Sequence, residues 1–319
     1  MYLTIPTLLS LVVVVAPPVV LAWDSLGHQT VGFLAQKYFT AQANATFNAL
    51  LGIGDDGEGG FDIGDAAAWA DTIRDPGNLP WSKGWHFINP KADDPEHGVC
   101  SLVYPSDCPA GNCIVSAIAN QTSLVLSGGE GMVKKNATMF LLHLIGDLHQ
   151  PLHASGFKLG GNAVRPVCFG QGCGESVNFT SLHGVWDGGI ARRIRGLEFR
   201  PGREADERER REDKEAARAW AGEIYGKRGG EMGKEGVCDV LGSDECVLRW
   251  ARESNGLVCT HVLKRGERYV LEHDLAGEYY EENWRVVEDR IAKAGWRLAG
   301  WMNAVARVLG KSNGGRGDL

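Results

Sequence analysis

Two histidine–aspartate pairs stand four residues apart in this chain, His143 with Asp147 and His183 with Asp187. On a helix, residues four apart share a face, so each pair can present an imidazole nitrogen and a carboxylate oxygen to one cation. The first pair opens a denser run, His143-Leu-Ile-Gly-Asp147-Leu-His149-Gln-Pro-Leu-His153. Within it, Pro151 breaks the helix and lets His153 turn back to a neighbouring position. Upstream lie Asp71, in Trp69-Ala-Asp71, and His86, in Trp85-His86-Phe87. Nitrogen and carboxylate donors without cysteine suit zinc in a catalytic setting, where water keeps an open position. One histidine on an apolar helix is more often a hydrogen-bonded core residue. Two pairs at helical spacing, with a third histidine in the same run, favour a metal centre.

The elements that must carry these residues read as helices. Gln29 to Leu51 shows apolar positions at three- and four-residue spacing and ends at Gly52, before a Gly/Asp-rich loop through Gly64. Asp65 is placed to cap a helix running through Ala70 towards Arg74, stopped by Asp75-Pro76-Gly77. Pro90 to Cys113 reads as loop. Ile114 to Leu126 and Lys134 to Leu148 read as helices, the second apolar enough to be buried. Gly156 to Asn178 is the one hairpin-like region. Helical patterning returns at Ser181, and a last helix spans Leu275 to Val308, before a Gly-rich tail over 309–319 expected to be disordered. The block Arg203 to Arg218 alternates charges with almost no apolar residue, which suits a solvated helix laced with ion pairs. With neither repeat nor linker, the expectation is a mainly α, single helical domain over 23–308 with a small hairpin region.

The chain has 319 residues, 44% of them hydrophobic and 23% charged, with a formal net charge of −7. A protein that binds nucleic acid through a broad cationic groove is normally basic, so this one grips any phosphate locally, with metal or a few arginines, or else binds no nucleic acid. Residues 1–22 read as a secretory signal: an apolar stretch from Leu8 to Leu21, then Val20-Leu21-Ala22 before Trp23. Pro17-Pro18 interrupts the stretch, which is short for the ~20 residues a membrane anchor needs. Cleavage would free the α-amine of Trp23, which near neutral pH can lose its proton to a metal, and His28 lies five residues on. Eight cysteines suit an oxidising compartment, as do sequons at Asn44, Asn120, Asn136 and Asn178. Eight cysteines allow 105 pairings. Short loops close most easily, which nominates Cys108–Cys113, Cys168–Cys173 and Cys238–Cys246 and leaves Cys100 with Cys259.

In these motifs the chain resembles the secreted zinc-dependent single-strand nucleases and 3′-nucleotidases of fungi and plants, distant relatives of zinc phospholipase C. The resemblance rests on Trp23-Asp-Ser-Leu-Gly-His28, Trp69-Ala-Asp71 with Arg74, His86-Phe-Ile, His143 through His153, Gly160-Gly-Asn162 and His183 to Trp186-Asp187. It resumes at Trp250 to Cys259 and Ala292 to Asn303, and omits the charged insert around 203–239. It implies a zinc phospholipase C type of fold and three zinc ions. One would take Asp71, His86, His143 and Asp147. A second would take the amine and carbonyl of Trp23, His28 and Asp147, and a third His153, His183 and Asp187.

By the same resemblance, water shared by the paired zincs attacks phosphorus while the third zinc steadies the leaving 3′-oxygen. Arg74 would contact the phosphate, and Phe87 with Asn162 would form a pocket that unpaired bases enter. The implied activity is endonucleolytic cleavage of single-stranded RNA and DNA to 5′-phosphorylated products, with 3′-nucleotidase activity. No stable protein partner or membrane anchor is implied, and the expected state is a secreted monomer. One position departs from the family: Asn89 stands where it usually has an aspartate that orients or activates the water. Asn can orient a water but cannot accept its proton. His149 is expected to be a supporting or surface residue and not a ligand. Two other functions fit the same ligands. One is a phospholipase C type phosphodiesterase, and the other is a zinc-stabilised binding protein without catalysis, for which Asn89 is the argument.

Overall fold

The structure, a computed structural model, describes residues 23–54, 60–73, 80–127, 131–170, 179–201, 205–230, 238 and 244–314. Eleven α-helices order these residues: α1 (Ser25–Gln36), α2 (Ala41–Leu51), α3 (Ile63–Ile73), α4 (Ile114–Ser127), α5 (Met132–Asp147), α6 (Leu182–Gly184), α7 (Ile190–Ile194), α8 (Glu207–Arg228), α9 (Glu245–Leu257), α10 (Gly266–Glu272) and α11 (Glu278–Gly314). The mainly α expectation holds. Among the described residues, no helix is long and apolar enough to cross a membrane.

The first helical stretch is two helices, not one. Lys37 ends α1, and Thr40 starts α2 by accepting a hydrogen bond from the Ala43 N–H at 3.1 Å. A hydroxyl in extended backbone outweighs continued apolar periodicity. The cap of α3 is Asp62, which accepts from the N–H groups of Gly64 and Asp65 at 2.9 and 3.1 Å. Asp65, expected to be that cap, instead accepts from the Asp62 N–H. The two strands are shorter and later than the hairpin expectation: β1 (Val167–Cys168) pairs antiparallel with β2 (Phe179–Thr180), and residues 157–164 form turns and bends. α11 runs to Gly314, past the start expected for a disordered tail.

α1 lies at the centre, covered by α3, α8 and α11, while α5 packs on α3 and α4. The approach of α1 to α3 is close enough that a Cβ on Gly32 would meet the Ile63 carbonyl at 2.9 Å. α8 has a capping box between Asp206 and Glu209 and carries the exposed Arg208–Glu212 pair. It is nevertheless only half solvated, since Glu209, Asp213, Ala217, Trp220 and Ile224 are buried. Arg192 of α7 meets Asp213 in a two-pronged pair at 3.0 and 2.6 Å and Asp24, the cap of α1, at 2.5 Å. The charged block is thus a docking surface within the fold.

Three disulfides follow the expected pairing: Cys100–Cys259, Cys108–Cys113 and Cys238–Cys246. Cys168 is disulfide-bonded, and Cys173 lies outside the described residues. The 159-residue separation of Cys100 and Cys259 makes that crosslink worth about 5 kcal/mol in the chain-entropy treatment. Residues 1–22, Arg74 and Asn178 also lie outside the described residues, as do, from the insert 203–239, residues 203–204, 231–237 and 239. Among the other sequons, Asn120 is exposed on α4, and Asn44 and Asn136 are half-buried.

Candidate metal centre

Seven elements converge on one buried region. α1 brings His28, the end of α3 brings Asp71, a 3₁₀ turn over Pro80–His86 brings His86, and α5 brings His143 and Asp147. Pro151 then starts a second 3₁₀ turn, Pro151–Ala154, that carries His153. α6 supplies His183, and the wider π turn Val185–Gly189 that follows it supplies Asp187. Such π turns recur at functional sites because the extra residue re-aims side chains.

Asp147 is wholly buried among three imidazoles. Its oxygens lie 3.1 Å from His28 Nε2, 2.9 Å from His86 Nδ1 and 3.2 Å from His143 Nε2. Asp71 stands 3.6 Å from His143 Nε2 and 3.9 Å from His28 Nε2. In the neighbouring group, Asp187 is 3.1 Å from His183 Nε2 and 3.8 Å from His153 Nε2. Three sets of donors are therefore each compact enough to hold an ion: His28, His143 and Asp147; Asp71, His86 and His143; His153, His183 and Asp187. The first two overlap at His143, whose single free Nε2 can serve only one ion.

The tautomers are fixed from behind. Nδ1–H of His143 donates to Ala67 O at 2.7 Å, that of His153 to His86 O at 2.6 Å, and that of His183 to Gly160 O at 2.5 Å. Each bond leaves the Nε2 lone pair aimed into the site, the arrangement metal-ligating histidines share. Meanwhile both ring nitrogens of His28, Nε2 of His86 and of His153, and Oδ1 of Asp147 are buried without an aligned hydrogen-bond partner. Buried polar atoms left so cost free energy unless something else satisfies them. Divalent cations fit that need, and the oxygen and nitrogen donors fit zinc.

Charge follows the same logic. Burial favours a neutral Asp147, yet His143, His28 and His86 outweigh it and hold its carboxyl well below the usual range. Burial likewise opposes charge on His143, but Asp147 and Asp71 raise its pKa. His28 is pushed down by burial and by His143, and His153 is pushed down to about 3 by burial. Burial pushes Asp187 up to about 7. The centre thus joins lone-pair donors to an ionised carboxylate.

Other expected site residues fall around this core. Trp23 is wholly buried, its indole donating to Gly146 O at 3.0 Å, one residue from Asp147. Phe87 is half-buried beside His86, and its carbonyl accepts from the Ile114 N–H at 3.0 Å. Asn162 donates to Leu159 O at 3.0 Å, on the same loop whose Gly160 carbonyl orients His183. Asn89 is exposed. His149 is buried and not at the surface. Its Nδ1–H donates to Ile145 O, and its Nε2 accepts from Arg297 at 3.1 Å, so no lone pair remains for a metal.

Gln150 went unread in the sequence. It is wholly buried, donates to Asp187 Oδ1 at 2.5 Å and accepts from the Leu152 N–H at 2.5 Å, so it links the turn bearing His153 to Asp187. Its position between His149 and Pro151 was the only available signal. Gln150→Leu is expected to weaken the His153–His183–Asp187 ion roughly 10- to 100-fold, the usual effect of losing a supporting hydrogen bond. Competition with a calibrated chelator would measure it, and an unchanged affinity would show that Asp187 needs no such partner.

A family model described as S1/P1 nuclease matches residues 23–307, which include every residue of the three donor sets. The chain belongs to the S1/P1 nuclease family. It is 32% identical to nuclease S1 of Aspergillus oryzae over 284 residues, covering 89% of this chain and 92% of that protein. Nuclease P1 of Penicillium citrinum is 30% identical over 292 residues, with 89% and 97% covered. Endonuclease 3 of Arabidopsis thaliana is 29% identical over 293 residues, with 89% of each covered.

Proposed function

We propose that the chain, once residues 1–22 are removed, is a secreted endonuclease holding three zinc ions. It would hydrolyse phosphodiester bonds of single-stranded RNA and DNA to 5′-phosphorylated products and remove 3′-phosphates from nucleotides. The observation that carries this reading is the set of Nε2 lone pairs converging with Asp147 and Asp187 on adjacent points of one buried site. Names of relatives supply the substrate class. Zinc held there would polarise a phosphoryl oxygen and lower the pKa of water.

The chain's own groups do the positioning. Asp147, kept ionised, presents its two oxygens to separate imidazoles and so can join two donor sets. His28 and His153, kept neutral by burial, keep a lone pair at neutral pH. Arg74 would fix the phosphate as a permanent charge, and Phe87 with Asn162 would receive the base. A duplex holds its bases in the stack, so such a site favours unpaired strands. Local cations also explain how a protein of net charge −7 binds phosphodiesters.

The deciding experiment pairs zinc stoichiometry of the purified mature protein with cleavage of single-stranded and matched duplex DNA. Three zincs with single-strand cleavage support the proposal, whereas three zincs without cleavage favour a binding protein. Asn89→Asp should raise single-strand cleavage by roughly 10²-fold, the low end of what a positioned general base contributes. Equal rates for the two forms would remove position 89 from the mechanism.

A further inference from the structure

Of the ten tryptophans, nine are buried or half-buried and Trp81 alone is exposed, at 54%. It stands at the start of the 3₁₀ turn Pro80–His86. Its ring meets Trp85 edge-to-face at 4.7 Å and 67°, and lies 6.4 Å from Phe140. Phe140 is itself buried and also touched by Trp85 at 5.1 Å and Trp69 at 5.4 Å. The indole is therefore held at a set tilt by a cluster while more than half of its surface stays in water. That cluster abuts the metal centre on three elements at once. Trp69 precedes Asp71 by two residues, Phe140 precedes His143 by three, and Trp85 adjoins His86.

At the 3₁₀ rise of ~2 Å per residue, the five residues from Trp81 to His86 span about 10 Å. That is roughly three stacked nucleotide steps of ~3.4 Å. Every base has a π-face, so a fixed, solvent-facing indole at this distance recognises an unpaired base without regard to sequence. An aromatic already held in place also loses little freedom on binding. We propose that Trp81 is a stacking platform for an unpaired base a few nucleotides from the scissile bond. It would extend the substrate site from a single nucleotide to a short strand. The proposal rests on the single-strand nuclease reading of the metal centre.

The test uses the zinc-loaded full-length mature chain as wild type, Trp81→Ala and Trp81→Phe, with an oligothymidylate and a nucleoside 3′-phosphate as substrates. Trp81→Ala should raise KM for the oligothymidylate roughly 5- to 100-fold more than KM for the nucleoside 3′-phosphate. Trp81→Phe, which keeps a π-face, should recover most of that difference. Affinity for a phosphorothioate oligothymidylate, read by fluorescence anisotropy, should fall in the same order. Equal affinities of wild type and Trp81→Ala would overturn the proposal. So would parallel losses on both substrates with a lowered zinc content, which would make Trp81 a brace for the metal centre. If the wild type cuts neither substrate, the nuclease reading fails, and the anisotropy series still decides the stacking.

Discussion

If the proposed three-zinc nuclease reading holds, Asp147→Asn is expected to cost the protein two of the three zinc ions and to lower single-strand cleavage on the order of 10³-fold. The substitution keeps the side chain's shape, so it tests charge and ligation and not packing. Asp147 has no solvent contact, and its two oxygens lie within 3.2 Å of His28, His86 and His143. Removing one partner of such a buried set costs ~3–5 kcal/mol, since the imidazoles around it lose their counter-charge. At ~1.4 kcal/mol per factor of ten, that reaches the stated loss. Metal analysis would show about one zinc per chain, from the His153–His183–Asp187 set. Three zincs in this variant would mean that Asp147 does not join the two other sites.

The stripped protein offers a second readout with a definite sign. The folded pKa of Asp147 lies below its ordinary value of 3.8, so its stabilisation is complete above that value and is lost as pH falls through the depressed one. His143 is shifted the opposite way from its ordinary 6.5, so its contribution is complete below 6.5 and is lost as pH rises through the raised pKa. Both contributions are therefore present together between pH 3.8 and 6.5. Thermal melts of the zinc-free protein should show that window in the wild type and a flatter profile in Asp147→Asn.

What could be read in advance was whatever the backbone period writes locally. His143 with Asp147, and His183 with Asp187, are visible because four residues make about one helical turn. Even so, the second pair is delivered by a π turn, whose extra residue has no sequence period of its own. Asp62 and Asp65 are equally good caps on paper, and only the fold chooses between them. The charged helix α8 was legible as a helix but not as a buried one. Arg192, which neutralises Asp213 and Asp24, comes from a different part of the chain. Gln150 and Arg297 were invisible for the same reason: each acts on a residue that only tertiary packing brings near.

A mature chain carrying one extra residue before Trp23 is expected to bind one zinc fewer and to lose activity about 100-fold or more, at the upper end of supporting-ligand effects. An amide nitrogen has no lone pair to offer a metal, whereas a freed α-amine does. Residue 23, the proposed start of the mature chain, is held in place from several sides. Trp23 is buried with its indole on Gly146 O, and the Asp24 N–H donates to Asp187 O at 3.0 Å. Residue 23 is thus pinned between the end of α5, which bears Asp147, and the turn bearing Asp187, five residues from His28. Gly27→Ala tests the same point without blocking the amine, since its Cβ would sit 2.8 Å from Trp23 Cβ and must displace that residue. The two variants should deplete the same ion, and wild-type zinc content in both would show that the chain terminus is not a ligand. If both lose it, removal of the proposed signal would be the step that completes the site, since a precursor would carry every side-chain ligand but lack the amine.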